Sequence, residues 1–155
     1  MLSFIKEHLA AAEAAGQAVD RKTAFDALRP LGLADFATVL WNAPLPDYPK
    51  LSSHLPPMTA ANITEEWTGS SGPRLLDQSL SFAQSVALNF ITLTKRPVNG
   101  ARILDYGCGY GRFLRLFSYF SDDVWGVDAW ESSLSHSRAA GFADRVKKID
   151  PIPTS

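Results

Sequence analysis

Two carboxylates and three glycines carry the chemistry open to this chain. Asp105 closes the apolar run Ile103-Leu104, and Gly107, Gly109 and Gly111 follow at alternate positions. About 20 residues on, Val124-Trp125-Gly126-Val127 leads into a second acid, Asp128. A turn built on these glycines can take backbone angles closed to other residues, and it lets a ligand lie directly against the main chain. A helix starting after such a turn aims its free N–H groups and positive dipole end at that ligand. An acid at the tip of the next strand is placed to take a ribose diol. Strand, glycine turn, helix start and acid-tipped strand together point to a nucleoside-containing ligand.

The spacing narrows the choice. A dinucleotide fingerprint reads G-x-G-x-x-G, its third glycine packing helix on strand. Here the spacing is G-x-G-x-G, and Arg112 stands where the third glycine would be. Asp105, two residues before the first glycine, would repel a pyrophosphate. It suits a cationic ligand, such as one carrying an amino group and a sulfonium. The pattern Asp105-x-Gly107-x-Gly109-x-Gly111, followed by Val127-Asp128, resembles motif I and the next-strand acid of the class I S-adenosylmethionine-dependent methyltransferases. The likeness, ILDYGCGYGRFLRLF…VWGVDAWESSL, covers about residues 101–140.

That resemblance implies an α/β, Rossmann-like fold, with the glycine loop after the first strand, and S-adenosylmethionine as cofactor. It implies cofactor contacts at Asp105, Gly107, Cys108, Gly109, Gly111, Arg112, Asp128, Ala129 and Trp130. Each has a plainer alternative. Asp105 could cap the loop through backbone N–H groups. Gly111 could serve close packing alone. Arg112 could meet a methionine-type carboxylate or pair with Asp105 or Asp123. Asp128 could be a solvated strand end. Trp130 could lie against an adenine face or belong to the core or surface. Asp150 falls where a carboxylate in this family often meets the adenine amino group. The Cys108 thiol reads as a small buried space-filler, because a thiolate is disfavoured beside Asp105. His8, His54 and His136 show no ligand spacing, so no metal site is expected. No catalytic residue is assigned: methyl transfer from a sulfonium needs chiefly orientation and exclusion of water.

The elements that must position these residues fall into three parts. Residues 1–42 read as a helical head, with helices over 2–15, from Asp20 to Arg29, and over 34–41. Residues 43–64 form a proline-rich connector, Pro44, Pro46, Pro49, Pro56 and Pro57 excluding regular helix or a central strand. Residues 65–155 read as the N-terminal half of a Rossmann-like cofactor-binding domain. In it, Trp67–Gly72 is a loop that, by resemblance, could close over the cofactor cleft. Pro73 opens a helix running to about Lys95, with Leu76, Leu80, Ala83, Ala87, Phe90 and Leu93 at amphipathic spacing. Strands follow over 101–105 and 124–128, with a poor third near 145–149.

The expected fold is thus α/β and Rossmann-like, truncated after the first two or three strands, with an α-helical N-terminal head. The later strands and acceptor-contacting loops of the family would lie beyond Ser155. The 155-residue chain is therefore expected to be an inactive portion of a methyltransferase of unknown acceptor. An alternative is a non-catalytic interaction module that dimerises through the exposed sheet edge, or pairs with a subunit completing the sheet. A third reading is a nicotinamide-dependent oxidoreductase fragment. A net charge of −1 argues against nucleic acid, and no apolar run is long enough to span a bilayer. One cysteine excludes an internal disulfide, and a cytoplasmic setting is the default.

Overall fold

Apolar residues at helical spacing build the N-terminal part of the chain. In this computed structural model residues 2–16 and 20–151 are described. Two units result, Met1–Met58 and Thr59–Ser155. In the first, α1 (Ser3–Ala15) turns Ile5 and Leu9 inward and stops at the left-handed Gly16. α2 (Arg21–Leu28) starts at Asp20, whose carboxylate accepts from the Thr23 N–H at 2.8 Å, while the Thr23 hydroxyl receives the Asp20 N–H. This reciprocal cap satisfies two orphan donors. α3 (Leu33–Trp41) buries Phe36, Ala37, Val39 and Leu40, and Phe36 meets Phe25 edge-on at 5.6 Å.

The proline-rich stretch packs through its leucines, as their presence suggests, but it is not wholly extended. Residues 43–58 belong to the first unit and bury Leu45, Leu51 and Leu55. They hold a short helix, α4 (Pro49–Ser52), with Pro49 at its first position. The Glu13 carboxylate caps it, accepting from Lys50 N–H at 3.0 Å and Leu51 N–H at 2.8 Å. A cap supplied by a residue so distant in sequence leaves no local signature.

The second unit opens with α5 (Ala61–Thr68), where a connector and loop were expected. Trp67 therefore sits in the last turn of a helix, which Gly69 ends in left-handed conformation at φ 69°. α6 (Gly72–Thr94) lies within one residue of its expected bounds. Its buried stripe is Leu75, Ser79, Ala83 and Ala87, one position off the expected one at its start, and Leu93 is exposed. The stripe narrows to small residues, and α6 packs there against the helix after the glycine loop.

The order then runs β1 (Ile103–Tyr106), α7 (Arg112–Phe117), β2 (Val124–Asp128), α8 (Glu131–Ser137) and β3 (Val146–Lys148). The three strands form a parallel sheet in the order β1-β2-β3, so the unit is α/β. The register sets Asp105 against Gly126 and Tyr106 against Val127. α7 packs on β1 and β2, and α8 on β2 and β3. Val124, Gly126, Asp128 and Val146 are buried, whereas Leu104 is 61% exposed and Tyr106 66%. β1 pairs on one side only among the described residues. Residues 152–155 lie outside the described residues.

Candidate functional site

The glycine loop is fixed by its own hydrogen bonds. Gly107 and Cys108 N–H both donate to the Val127 carbonyl, at 2.8 and 3.0 Å. Gly109 N–H donates to Asp128 Oδ2 at 3.0 Å, and Gly111 N–H to the Cys108 carbonyl at 2.9 Å. Gly107 and Gly109 hold φ of 75° and 55°, and a Cβ on either would meet nothing within 4 Å. Glycine here serves the backbone conformation and leaves the space beside the loop open. Gly111 is different: a Cβ there would come within 3.1 Å of Ser137 Oγ and 3.4 Å of Leu114 and Phe142. It takes the packing role.

Asp128 is not a solvated strand end. It is 6% exposed, and its second oxygen accepts from Trp130 N–H at 2.9 Å. The carboxylate thus ties the loop to the turn after β2 and is held in one orientation. Asp105, at the tip of β1, is half-buried, and its Oδ2 is enclosed with no hydrogen-bond partner among the described residues. Burial pushes its carboxyl up to about 6; the Arg112 guanidinium pulls the other way, and the Asp128 charge adds to the rise. Asp105 does not cap the loop. Arg112 lies over the Phe113 ring at 4.4 Å, and Asp123 is taken by Arg102 at 2.8 Å.

Cys108 packs its thiol against β2. A Cβ on Gly126 would sit 2.8 Å from both Cys108 Cβ and Sγ. Burial, followed by the charges of Asp105 and Asp128, pushes the thiol up to about 12. It is a space-filler that only a glycine at position 126 can face. Ser137 hydroxyl donates to the Gly109 carbonyl at 2.7 Å. Arg115 is wholly buried and its Nη1 donates to the Tyr110 and Gly111 carbonyls, at 3.1 and 2.9 Å.

Beside the loop lies a cleft of about 590 Å³. Gly107, Gly109, Asp128, Ala129 and Trp130 line it, so five of the nine residues expected at the site share one wall. Asp105, Cys108, Gly111 and Arg112 do not line it, and neither does Asp150; Ile149 and Pro151 on either side do. Tyr106, Ser132, Ser133 and Trp67 complete the lining. Compared with protein-family models, curated proteins and solved structures, the chain matches none.

The loop's chemistry is unusual for a phosphate cradle. Phosphate-binding turns present unpaired N–H groups to the ligand. Here four loop amides are used internally, and two carboxylates stand at the strand tips. Among the described residues no group of three His, Cys, Asp or Glu could hold a metal. No described helix is long and apolar enough to cross a membrane.

The sequence reading missed Arg115 and Ser137, which hold the loop, and Tyr106, Ser132, Ser133, Ile149 and Pro151, which line the cleft. Arg115 carries a signal in retrospect. It is the single cation within the otherwise apolar Phe113–Phe117, four residues after Gly111, where a side chain can reach back to the loop's carbonyls. The serines carried none.

Proposed function

We propose that the second unit binds S-adenosylmethionine and is the cofactor-binding part of a class I, Rossmann-like methyltransferase acting on an acceptor not specified by these residues. The observation that carries this is the enclosed Asp105 oxygen, without a partner among the described residues, beside a loop with four of its amides already engaged. A buried, unpaired carboxylate is costly unless something charged or hydrogen-bonding meets it. An ammonium supplies both, and a pyrophosphate supplies neither.

The residues present fit the group. Asp105 would hold its amino end. Asp128, oriented by Gly109 and Trp130, would accept from ribose hydroxyls with the lone pairs that its two backbone donors leave open. Ala129 and Trp130 would border the base. Gly107 and Gly109 leave the main chain open to close approach. When bound, the cofactor supplies a methyl group already activated by a sulfonium. The chain's own residues bind and orient it and keep water from one side. The same features weigh against a nicotinamide dinucleotide, whose pyrophosphate would face two carboxylates.

Thermal unfolding with added ligand tests the proposal. S-adenosylmethionine and S-adenosylhomocysteine should raise the midpoint, and NAD at equal concentration should not. A larger shift with NAD would overturn it.

One observation favours a second reading, an interaction module. Among the described residues β1 presents an unpaired edge, and Leu104 and Tyr106 on that strand are exposed. Such an edge is a template for pairing with another chain. Sedimentation of the isolated chain separates the two. A ligand-binding monomer favours the enzyme, and a dimer indifferent to every ligand favours the module.

A further inference from the structure

α5 reaches the cleft lining through Trp67. Its indole meets the Tyr110 ring at 5.9 Å and the His136 ring, edge to face, at 5.3 Å. The turn beneath it is locked. Thr68 hydroxyl bonds the Thr64 carbonyl at 2.7 Å and the Ser70 carbonyl at 3.1 Å, and the Ser70 hydroxyl bonds Gln78 on α6 at 2.6 Å. Thr64 and Ser70 are both buried. Even so, Trp67 remains 38% exposed, and it lines the cleft that also receives the 71%-exposed Trp130.

A large aromatic that packs against two rings and is still 38% exposed has surface left for a further flat partner. Aromatic rings gain most from a flat partner at stacking or edge distance. A locked indole also gives up little freedom when a ligand arrives, which favours affinity. We propose that Trp67 is a ligand-contacting residue: α5 holds its indole as a preformed aromatic wall for the flat base of a nucleoside ligand, and seats that wall on the glycine loop through Tyr110. The proposal rests on reading the cleft as a nucleoside site, though not on the methyl chemistry. It makes α5 part of the binding site despite its distance in sequence from the glycine motif.

The test pairs two substitutions of similar bulk in the full chain. Trp67→Phe keeps a flat ring and Trp67→Leu keeps apolar volume without one. Far-UV circular dichroism and thermal unfolding establish that both fold. Adenosine, S-adenosylhomocysteine and NAD are titrated by calorimetry and by tryptophan emission. Stacking of a base on an aromatic side chain corresponds to roughly five- to hundredfold in affinity. Trp67→Leu should lose that much for whichever adenosine compound the parent binds, and Trp67→Phe should stay within about threefold. The ligand-induced change in emission should shrink in both, since the reporting indole is gone. Leu binding as tightly as the parent, or Phe falling as far as Leu, would overturn the proposal. Tight S-adenosylhomocysteine binding indifferent to Trp67 would overturn it and leave the methyltransferase reading standing. Trp67-dependent binding of NAD in preference would do the reverse. No binding of any adenosine compound would overturn both.

Discussion

Replacing Asp105 with Asn should make the ligand-free protein more stable and a poorer binder of the proposed S-adenosylmethionine. The residue is half-buried, its enclosed Oδ2 has no partner among the described residues, and it holds its proton up to about pH 6 instead of the ordinary 3.8. That displacement corresponds to about 3 kcal/mol of preference for the neutral form. The sign follows from proton binding. Between pH 3.8 and about 6 the folded chain keeps a proton that the unfolded chain has lost. Stability therefore falls as pH rises through that window, and the whole penalty is present above it. Asn mimics the neutral acid and escapes the penalty. Urea unfolding should show Asp105→Asn more stable than the parent by up to about 3 kcal/mol at pH 7, with the gap closing towards pH 4. Using the difference between the two proteins cancels the other titrating groups. A variant no more stable than the parent at pH 7, or a gap independent of pH, would refute the claim that Asp105 is held at a cost. Unpaired buried groups collect at functional sites, and a ligand amine would remove that cost.

Two further outcomes test the geometry. Gly126→Ala should destabilise by about 1–3 kcal/mol, the usual range for overpacking. Cys108→Ala should not rescue it, because the 2.8 Å approach involves Cys108 Cβ as well as Sγ; Cys108→Gly should, and a double-mutant cycle of unfolding free energies reads the coupling. Cys108 should resist iodoacetamide at pH 8 in the folded protein and react promptly in urea, followed by mass spectrometry, since only the thiolate reacts.

The site was legible where its signal is local. β2 has the expected bounds, Val124–Asp128, because an apolar run ending in an acid after a turn has one natural register. β1 starts two residues later than expected and ends one later, at Tyr106, because β2's own start at Val124 sets where pairing begins. The glycines and Asp128 were visible by type and spacing, and five of the nine expected residues share the cleft. What was hidden depends on residues far apart in sequence. Glu13 caps α4 from α1, Gly126 is required by Cys108 across the sheet, and Ser137 holds the Gly109 carbonyl from α8. α5 was hidden because its short apolar face, Ile63 with Trp67, sits next to prolines and glycines that read as loop. Asp128 looked like a ligand and proved to be also a structural strut, tied to two backbone amides.

On the proposed reading, a ligand cation meets the Asp105 carboxylate at the tip of β1, next to Tyr106 and Gly107 of the cleft lining. Titration calorimetry of S-adenosylhomocysteine and NAD, repeated at pH 7 and pH 5, tests it most directly. A ligand amine that needs the ionised carboxylate should bind roughly tenfold more weakly at pH 5, where the carboxyl near 6 is mostly protonated. S-adenosylhomocysteine should bind at pH 7 and weaken by about that factor at pH 5, with the weakening abolished in Asp105→Asn and NAD binding weaker throughout. Tighter binding of NAD, or S-adenosylhomocysteine affinity unchanged between the two pH values, would contradict it.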